Sequence, residues 1–454
     1  MTDVLAGIVE RKRREVADRL GGWPISAAPT KRSLRAALAR PGARFIMEVK
    51  QKSPSGHRSK LSVAEAVAAY APVADAISVL TDGPGFGGSL DNLRMVRQLF
   101  DGPILAKDFI VDSAQVSEAR AAGADAVLAM MSVLDDMTAA TVLAEARRYN
   151  MDVIVEAHDE AELGRAIALG ALIVGVNNRN LKTLETDLSV TERLVPMVPR
   201  GVTLIAESGI SSRTDVERLA PCVDAFLVGS SLMASPDIVG AARSLVHGDV
   251  KLCGVTRADD VELAASAGAT HAGFIFVPGT HRAIDPHRAK ELTSAAQKSG
   301  LKTVGVFRDA EASEIARTAD QLHLDAVQLH GKEDAAAIRR ALPNSTEVWA
   351  LCGVAETAAA LRPGADRSLF DTVRNGSSGG TGQAFDWSKL EGRSDLPTAF
   401  LGGGIGPDNA RAASRVGAYG LDVGSSVEAA PGIKDPAKVD ALFAALRPAA
   451  RSNS

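Results

Sequence analysis

The same strand ending occurs twice in the chain, first as "FLVGSS" at 226–231 and again, 195 residues later, as "LDVGSS" at 421–426. The preceding turns match as well: "AESGI" ends nineteen residues before Gly229, and "GGGI" ends nineteen residues before Gly424. Equal spacing in both halves indicates a repeated domain. At 454 residues the chain also exceeds what one hydrophobic core usually holds, so two domains are expected from length alone.

Each half contains eight short apolar runs separated by amphipathic helical stretches. Strands that are apolar on both faces and alternate with helices indicate a parallel sheet, and eight such units fit a (β/α)₈ barrel. We therefore predict an α/β fold with two tandem (β/α)₈ TIM barrels. A doubly wound open sheet is the alternative, although two sets of eight with matching ends fit it poorly. The predicted strands are 45–50, 76–82, 103–109, 126–134, 151–158, 172–179, 203–209 and 225–231, then 250–256, 271–277, 303–308, 326–331, 347–353, 368–373, 399–404 and 420–426.

The seam between the two sets predicts domains over 1–248 and 249–454. The net charge of −4 gives no bulk positive field for nucleic acid or an anionic membrane, so any phosphate must be bound by a local site. The charged N-terminus is not a signal peptide, and no apolar run approaches the roughly 20 residues that span a bilayer. We expect a cytoplasmic monomer with two packed barrels that binds small molecules, without nucleic-acid or membrane partners.

The repeated Gly-Ser-Ser lies where such barrels commonly bind phosphate, in the loops after strands 7 and 8. Glycine allows the backbone to approach an anion closely, and serine adds a hydroxyl donor. A tight turn without a ligand is the alternative for either copy. Two copies, each following a glycine-rich strand-7 ending, favour phosphate binding.

Ionisable side chains interrupt the apolar strands of the first half, where an unpaired charge is costly. "FIMEVK", for example, places two of them on one face of a strand. The carboxyl ends of barrel strands form the active site, and lysines and glutamates there suit acid–base chemistry. A structural ion-pair network is the alternative, and it accounts poorly for a set drawn from five strands. The set is Glu48, Lys50, Lys107, Glu156, Asn177, Arg179 and Glu207.

Six ordered motifs of the first half resemble the indole-3-glycerol-phosphate synthase family over about residues 1–248. They are "IMEVKQKSPS", "LAKDF", "VEAH", "GVNNRNL", "AESGI" and "LVGSSLM", accompanied by the N-terminal "LAGIVERKRREV" and by "FGGSLDNL". The resemblance implies that a carboxyphenylamino-deoxyribulose phosphate cyclises onto its own aromatic ring, loses carbon dioxide and then loses water. It implies that Lys107 protonates the ribulose carbonyl oxygen, that Glu156 assists the later proton removal and dehydration, and that Lys50, paired with Glu48, is a second acid.

The same resemblance implies the rest of this site. Family members often follow "SPS" with Lys-Gly, whereas this chain reads "SPSGHRSKL", so the loop after strand 1 is expected to make different contacts. The implied substrate-orienting residues are Asn177, Arg179 and Glu207; Phe86, Phe109 and Leu181 would hold the aromatic ring; and Ser53, Ser208, Gly209, Gly229 and Ser230 would hold the phosphate.

The second half carries fewer candidate residues. "KLCGVT" places Cys253 in strand 1, and "SLFDTV" places Asp371 in strand 6. A strand cysteine alone is usually an inert core residue, and a strand-end aspartate is often a helix cap. Facing each other across a barrel mouth, the two could act as base and acid. Cys222 and Cys352 have no such partner and are interpreted as packing residues.

Motifs across about residues 250–447 resemble the phosphoribosylanthranilate isomerase family. They are "KLCGVT", "GFIFVPGTHRAIDP", "VGVF", "VQLHG", "LFDTV", "GGTGQAFDW" and "LGGGI". The resemblance implies an Amadori rearrangement in which Asp371 opens the ribose ring as general acid and Cys253 takes the C2 proton as base. "DVGSS" departs from the commoner "DVSSG" of single-domain relatives. The implied binding residues are Arg282 for the anthranilate carboxylate, His330 for the substrate or a structural hydrogen bond, and Gly380, Gly382, Gly403, Gly404, Ser425 and Ser426 for phosphate.

With both halves considered together, the chain resembles the bifunctional synthase–isomerase of bacterial tryptophan biosynthesis. In that enzyme the isomerase product is the synthase substrate. Both steps can run on acid–base groups, so no metal and no organic cofactor are expected, and no histidine pair shows His-x₃-His spacing. Other phosphosugar barrels are one alternative, such as epimerases or an aldolase with Lys107 as its Schiff-base lysine. A degenerate barrel that only binds a phosphorylated ligand is another, but it would have lost its acid–base groups.

Overall fold

A computed structural model describes residues 4–20, 25–50, 61–181, 183–355, 359–374, 377–378 and 384–451. The chain divides into two compact units, Met1–Ala242 with Pro448–Ser454, and Arg243–Arg447. The final segment thus belongs to the first unit, where the Pro448 carbonyl accepts a hydrogen bond from the Ala43 amide. The division by activity at 248/249 stays a prediction.

The first unit is a closed barrel of eight parallel strands in sequence order. All eight predicted strands are present, and the closed ring confirms the barrel over the open sheet. Each of the eight strands ends one to four residues before its predicted end, and the residues beyond lie in loops or at the start of the next helix. The strands are β1 (Arg44–Val49), β2 (Ala76–Leu80), β3 (Ile104–Lys107), β4 (Ala126–Met130), β5 (Asp152–Ala157), β6 (Ile173–Asn177), β7 (Thr203–Glu207) and β8 (Ala225–Val228).

The second unit also closes into eight parallel strands, with β17 paired to β9 and β14 paired to both β13 and β16. The short β15 extends this sheet by antiparallel pairing with β14, and β18 with β19 forms a separate hairpin. The eight predicted strands are again present. The strands are β9 (Asp249–Cys253), β10 (His271–Ile275), β11 (Lys302–Phe307), β12 (Ala326–Leu329), β13 (Glu347–Val354), β14 (Arg367–Arg374), β15 (Ser377–Ser378), β16 (Phe400–Leu401), β17 (Gly420–Val423), β18 (Glu428–Ala430) and β19 (Ile433–Lys434).

Helices follow most strands and begin at polar caps. Ser62 and Asp159, for example, accept hydrogen bonds from backbone amides of the first turn, which satisfies donors that a helix start leaves free. The α-helices are α1 (Val4–Leu20), α2 (Leu34–Leu38), α3 (Val63–Tyr70), α4 (Gly83–Phe86), α5 (Leu90–Leu99), α6 (Ala114–Ala121), α7 (Asp136–Arg148), α8 (Glu160–Ala168), α9 (Ser189–Leu194), α10 (Arg213–Leu219), α11 (Ser230–Ala234), α12 (Ile238–His247), α13 (Ala258–Ala267), α14 (Pro286–Lys298), α15 (Ala312–Leu322), α16 (Ala335–Ala341), α17 (Ala410–Ser414) and α18 (Pro436–Leu446).

The two barrel centres are filled differently. In the first, aliphatic side chains such as Ile46 and Ile205 pack with Leu34 and Leu38 of α2. In the second, Trp349 stacks on Phe400 with ring centroids 4.3 Å apart. In both barrels side chains fill the interior, as expected of a packed core, and the cavities described below lie at the carboxyl ends of the strands.

Within the described part of the chain, no helix is both long and apolar enough to cross a membrane.

Candidate active sites

The carboxyl ends of the first barrel's strands surround a cavity of about 340 Å³. Its wall is drawn from seven of the eight strand ends and from α1. The structure therefore brings nearly the whole predicted site together. The predicted residues that line the cavity are Glu48, Lys50, Phe86, Lys107, Phe109, Glu156, Asn177, Arg179, Leu181, Ser208, Gly209, Gly229 and Ser230.

Glu48 links the two lysines of this cavity. Its Oε1 lies 2.9 Å from Lys50 Nζ and its Oε2 lies 3.2 Å from Lys107 Nζ. Burial alone would raise the pKa of Glu48, but the adjacent Lys107 and Lys50 lower it to about 2. Burial alone would lower the pKa of Lys107, but Glu48, Glu207 and Glu156 raise it above its ordinary value. Lys107 therefore carries a proton at neutral pH, which is the form in which a general acid begins.

Glu207 lies behind Lys107 and not on the cavity wall. Its Oε2 is 3.4 Å from Lys107 Nζ, and only 1% of the residue is exposed. Burial, together with the charge of Glu156, outweighs the attraction of Lys107 and raises the pKa of Glu207 to about 8. The resemblance implies that Glu207 orients the substrate, whereas its contact in the structure is with Lys107.

The last residue of β6 and the loop after it hold the amide and the guanidinium of the site. The Oδ1 of Asn177 accepts a hydrogen bond of 3.0 Å from the Arg179 amide, and the Arg179 guanidinium donates one of 2.8 Å to the Leu184 carbonyl. Both side chains line the cavity. The loop is therefore ordered by contacts that these two residues make themselves.

Apolar residues cover one side of the cavity. The rings of Phe86 and Phe109 lie 5.9 Å apart, and Leu181 lines the wall with them. Leu5 and Ile8 of α1 complete this apolar side. Neither residue is among those predicted for the site, although their spacing in an amphipathic helix is a signal that could have identified them.

A buried ion-pair cluster holds α1 against the barrel. Lys12 Nζ lies 2.8 Å from an oxygen of Asp82 and 2.9 Å from one of Asp108, and the lysine side chain is 1% exposed. Arg11 also pairs with Asp82. Because both aspartates line the cavity, these contacts fix the helix at the site.

The loops after β7 and β8 form the predicted phosphate end. Ser208 and Gly209 both have left-handed backbone conformations, with φ of 62° and 79°. Ser230 Oγ accepts a hydrogen bond of 2.7 Å from Lys50 Nζ, which joins the predicted acid to the phosphate end. Ser231 Oγ donates to the Ile210 carbonyl at 2.9 Å and ties the two loops together.

The second barrel has a cavity of about 200 Å³ at the same ends of its strands. It is lined by all the residues predicted for this site that the structure describes. They are Cys253, Arg282, His330, Asp371, Gly403, Gly404, Ser425 and Ser426.

Cys253 and Asp371 face this one cavity from β9 and β14. Burial, and secondarily the charge of Asp422, raises the pKa of Asp371 to about 7. Burial also raises the pKa of Cys253, although Lys251 opposes the shift. Asp371 is therefore partly protonated at neutral pH, which suits a general acid, while the thiol needs help to ionise.

A second buried ion pair underlies this cavity and was missed from the sequence. Lys251 Nζ lies 2.9 Å from Asp422 Oδ1, and Gln328 Nε2 contacts both Asp422 Oδ2 at 3.4 Å and His330 Nε2 at 2.6 Å. Burial lowers the pKa of His330 to about 4, so its ring is neutral near pH 7. Charged residues inside "VKLC" and "GLDV" are the same signal that identified the first site.

Arg282 is held in place by Glu428. Its Nε and Nη2 make contacts of 2.8 to 3.1 Å with the two carboxylate oxygens. Lys434 Nζ lies 3.0 Å from the same carboxylate and 2.6 Å from the Cys253 carbonyl. The predicted carboxylate-binding residue is thus anchored to the loops that carry the base and the phosphate end.

The phosphate ends of the two barrels have the same construction. Gly403 and Gly404 are left-handed, as Ser208 and Gly209 are, with φ of 83° and 62°. Ser426 Oγ donates to the Ile405 carbonyl, as Ser231 does to Ile210. The second serine of each Gly-Ser-Ser is therefore used to tie two loops together.

Three predicted phosphate residues, Ser53, Gly380 and Gly382, lie outside the described residues, as does most of the "SPSGHRSKL" segment. Within the described ranges, no group of three or more histidine, cysteine, aspartate or glutamate residues could hold a metal ion.

Comparison with known proteins assigns each half to a family. Residues 5–245 match the family model for indole-3-glycerol phosphate synthase, and residues 250–445 match the one for N-(5'-phosphoribosyl)anthranilate (PRA) isomerase.

Similar proteins span both halves at once. The chain is 43% identical to the tryptophan biosynthesis protein TrpCF of Yersinia pestis, over 98% of this chain and 94% of that protein. It is 42% identical to the protein of the same name from Salmonella typhi, over 98% of this chain and all of that one. Among solved structures, a phosphoribosyl anthranilate isomerase from Thermus thermophilus is 34% identical, with a TM-score of 0.38, and covers 44% of this chain and 98% of its own.

Proposed function

We propose roles for the residues of two reactions, from the premise that the chain belongs to the family of bifunctional indole-3-glycerol-phosphate synthases and phosphoribosylanthranilate isomerases. It is an enzyme of tryptophan biosynthesis with a carboxy-lyase activity in its N-terminal half and an isomerase activity in its C-terminal half. Its substrates are phosphorylated anthranilate derivatives. Family membership decides against the other phosphosugar barrels that the sequence left open.

The synthase reaction needs acids and a base at fixed places. The aromatic carbon bearing the carboxylate joins the ribulose carbonyl carbon, carbon dioxide leaves, and the former carbonyl oxygen departs as water. That oxygen gains two protons, and the methylene carbon beside nitrogen loses one. At least one proton must therefore enter from solvent in each turnover.

In this proposal Lys107 gives the first proton to the carbonyl oxygen as the ring closes. Lys50, held by Glu48, gives the second proton as the hydroxyl leaves, and Glu156 takes the proton from the methylene carbon. The contact of both lysines with Glu48, at 2.9 and 3.2 Å, carries this assignment because it fixes two acids in one cavity. Glu207 acts through Lys107, its neighbour at 3.4 Å.

The binding residues follow from the walls of the cavity. Phe86, Phe109 and Leu181 hold the aromatic ring, Asn177 and Arg179 orient the substrate, and backbone amides at the two phosphate loops hold the phosphate. We assign the phosphate to Ser53, Ser208, Gly209, Gly229 and Ser230.

Separating the chemical steps tests these synthase roles. In single turnovers with the carboxyphenylamino-deoxyribulose phosphate, Lys107→Met is expected to release neither carbon dioxide nor indole product. Glu156→Gln is expected to release carbon dioxide faster than indole, because its block falls after ring closure. Lys290→Ala, an exposed lysine of α14, is the matched control. Loss of both signals in Glu156→Gln would contradict the assignment of Glu156 to the later step.

For the isomerase, Asp371 gives a proton to the ribose ring oxygen, whose bond to C1 breaks to leave an iminium. The Cys253 thiolate then takes the C2 proton, and the resulting enolamine becomes the aminoketose as C1 gains a proton and the 2-hydroxyl loses one. The observation that carries these roles is that the two side chains share one cavity and that the pKa of Asp371 is about 7.

Arg282 is proposed to bind the anthranilate carboxylate through the edge of its guanidinium away from Nε, since Glu428 already takes the Nε edge. His330, neutral and joined to Gln328, supports the substrate or the wall of the site. Gly380, Gly382, Gly403, Gly404, Ser425 and Ser426 are proposed to hold the phosphate.

A thiol comparison tests the isomerase roles. Cys253→Ser is expected to lower the isomerase kcat by roughly 10² or more, since a serine hydroxyl is a far weaker base than a thiolate. Cys222→Ser, which changes a cysteine of the first unit, should leave it unchanged. With substrate deuterated at C2, the isomerase reaction of the wild type should show a primary isotope effect. Full isomerase activity in Cys253→Ser would overturn the assignment of the base.

We also propose that the enzyme works as a monomer in the cytoplasm, because one chain carries both activities of a biosynthetic sequence. Light scattering should then give a mass near 47.2 kDa. A mass of twice that value at assay concentration would contradict the monomer.

A further inference from the structure

His158 lies between a carboxylate of the synthase cavity and one outside it. It follows Glu156 by two residues, directly after β5. Its Nε2 is 3.4 Å from Glu156 Oε1, and its Nδ1 is 3.0 Å from Glu162 Oε2. The imidazole therefore bridges a proposed catalytic group and the first turn of α8.

The ring is held by the start of α8. Glu162 Oε2 also accepts a hydrogen bond of 2.8 Å from the His158 amide, and Asp159 caps the helix by accepting one of 2.9 Å from the Glu162 amide. Side chain and backbone of His158 are thus bound by the same carboxylate. The position of the imidazole is therefore set by its contacts with the start of α8.

Inside the barrel, Glu156 has a second carboxyl group as its neighbour. Gly175 of β6 pairs with Glu156 of β5, and a Cβ at Gly175 would lie 2.1 Å from Glu207 Oε1. The missing side chain lets Glu207 reach over β6 towards Glu156. Both residues are 1% exposed, and their Oε1 atoms have no hydrogen-bond partner among the described residues.

The two buried carboxyl groups interact, so we expect the pair to hold one proton near neutral pH. Like charges in one site disfavour double ionisation, and the pKa of Glu207 is raised to about 8, first by burial. Catalysis by Glu156 as a base requires that the proton be on Glu207. Lys107 does not place the proton on Glu207. Its Nζ contacts Glu207 and would instead stabilise the negative charge on that carboxylate.

We propose that His158, fixed by Glu162, is a positioning residue that keeps Glu156 ionised and so assigns the shared proton to Glu207. The inference rests on the proposed role of Glu156 as the base. Glu156 and Glu207 face the imidazole from the barrel interior and Glu162 faces it from α8, with Lys107 beyond Glu207. Burial lowers the pKa of His158, but the hydrogen bond to Glu162 and the negative charges of Glu156 and Glu162 raise it above its ordinary value.

The pH profile of the synthase separates this role from a purely structural one. In His158→Asn the imidazole that lies 3.4 Å from Glu156 is gone, so nothing favours Glu207 over Glu156 as the place of the shared proton. The acidic limb of kcat/KM should move up by about one pH unit, with roughly tenfold less activity at pH 6 and little loss above the limb. Glu162→Gln should move the limb in the same direction by a smaller amount, because it weakens the charge on the ring.

Three comparisons keep the outcome interpretable. Glu160→Gln changes an exposed carboxylate of the same helix and should leave the profile unmoved. The isomerase activity of each variant reports on folding of the rest of the chain. If His158→Asn fails to fold, Glu162→Gln alone must still shift the limb.

A uniform loss at every pH, or an unchanged limb in both variants, would overturn the inference. Glu156→Gln distinguishes this failure from failure of the proposed function. If Glu156→Gln keeps the wild-type rate, Glu156 is not the base. If it is inactive while the limb of His158→Asn does not move, only the role of His158 is wrong.

Discussion

In the first barrel, Glu48, the carboxylate that contacts both lysines, lies against Gly229 in the loop after β8. In the second barrel, Asp371, the proposed acid, lies close to Gly403 in the loop after β16, the seventh strand of that barrel. A Cβ on Gly229 would lie 2.4 Å from Glu48 Oε1 and 2.8 Å from Glu48 Cβ, whereas one on Gly424 would meet nothing within 4 Å. A Cβ on Gly403 would lie 3.0 Å from Asp371 Oδ1, whereas the equivalent position in the first barrel already carries a side chain, that of Ser208.

The comparison separates what the two barrels share from what distinguishes them. Both use left-handed residues after strand 7, a Gly-Ser-Ser after strand 8, and a serine that ties the two loops together. The acid–base groups come from strands 1, 3 and 5 in the first barrel (β1, β3 and β5) and from strands 1 and 6 in the second (β9 and β14), so only strand 1 is used by both. Each barrel therefore needs a bare glycine wherever its own carboxylate approaches the phosphate loops.

Removal of one proposed acid from each barrel should have the largest effect. Lys107→Met should lower the synthase kcat by roughly 10²–10⁴ and leave the isomerase unchanged, and Asp371→Asn should do the reverse, because proton transfer by a positioned group contributes about that much. Each activity is measured with its own substrate supplied directly. Asp440→Asn, an exposed aspartate of α18, is the control for the second variant. Loss of both activities in either variant would break the separation.

Alanine at the two strand-8 glycines should have unequal effects. Gly229→Ala should lower the synthase kcat roughly tenfold or more, because overpacking of about 1–3 kcal/mol must move Glu48 and with it both lysines. Gly424→Ala should change the isomerase by less than about threefold, given the open space at that position. Kinetics and thermal melting of the two variants check this. Equal losses would mean that both glycines serve only the phosphate.

Exchanging the residues after strand 7 should show the reverse asymmetry. Gly403→Ser introduces a side chain at a φ of 83° and against Thr372 Oγ1, so isomerase activity should fall roughly tenfold. Ser208→Gly should change the free energy of unfolding by less than about 1 kcal/mol, since relief of a left-handed serine offsets the entropy that glycine loses. Unchanged isomerase activity in Gly403→Ser would show that the position of Asp371 does not require a glycine at 403.

The two activities should also respond differently to pH. Isomerase kcat/KM should rise with pH to about 7 and then level, because above that pH each gain of Cys253 thiolate is matched by loss of the protonated Asp371 carboxyl. Synthase activity should instead decline above about pH 8, where Glu207 ionises and strengthens the hold of Lys107 on its proton. Profiles of one protein preparation with each substrate check both. A shared break for the two activities would point to a common cause, such as unfolding.

Much of this arrangement follows from local sequence. A buried parallel strand is a short apolar run, so all sixteen barrel strands can be predicted from the sequence. A charge inside such a run is costly, which indicates that Glu48, Lys107 and Glu156 are functional. Because all strands of a barrel end on one side, these residues could be grouped without knowing any distance.

The parts that could not be predicted depend on contacts between residues far apart in the chain. The pairing of Lys12 with Asp82 and Asp108, which brings α1 to the cavity, leaves no local pattern. The position of Glu207 behind Lys107 depends on the absence of a side chain at Gly175, and the pair of Lys251 with Asp422 joins the first and last strands of its barrel. Each is settled by packing across the barrel.

The most direct test of two separate sites is to feed phosphoribosylanthranilate to Lys107→Met, to Asp371→Asn and to an equimolar mixture of the two proteins. Loss of substrate fluorescence reports the isomerase, and appearance of indole-3-glycerol phosphate reports the synthase. We expect Lys107→Met to consume substrate without forming indole product, Asp371→Asn to leave the substrate unchanged, and the mixture to form the product. If Lys107→Met fails to consume the substrate, or if Asp371→Asn fails to cyclise the intermediate supplied to it directly, the two chemistries do not reside in separate barrels.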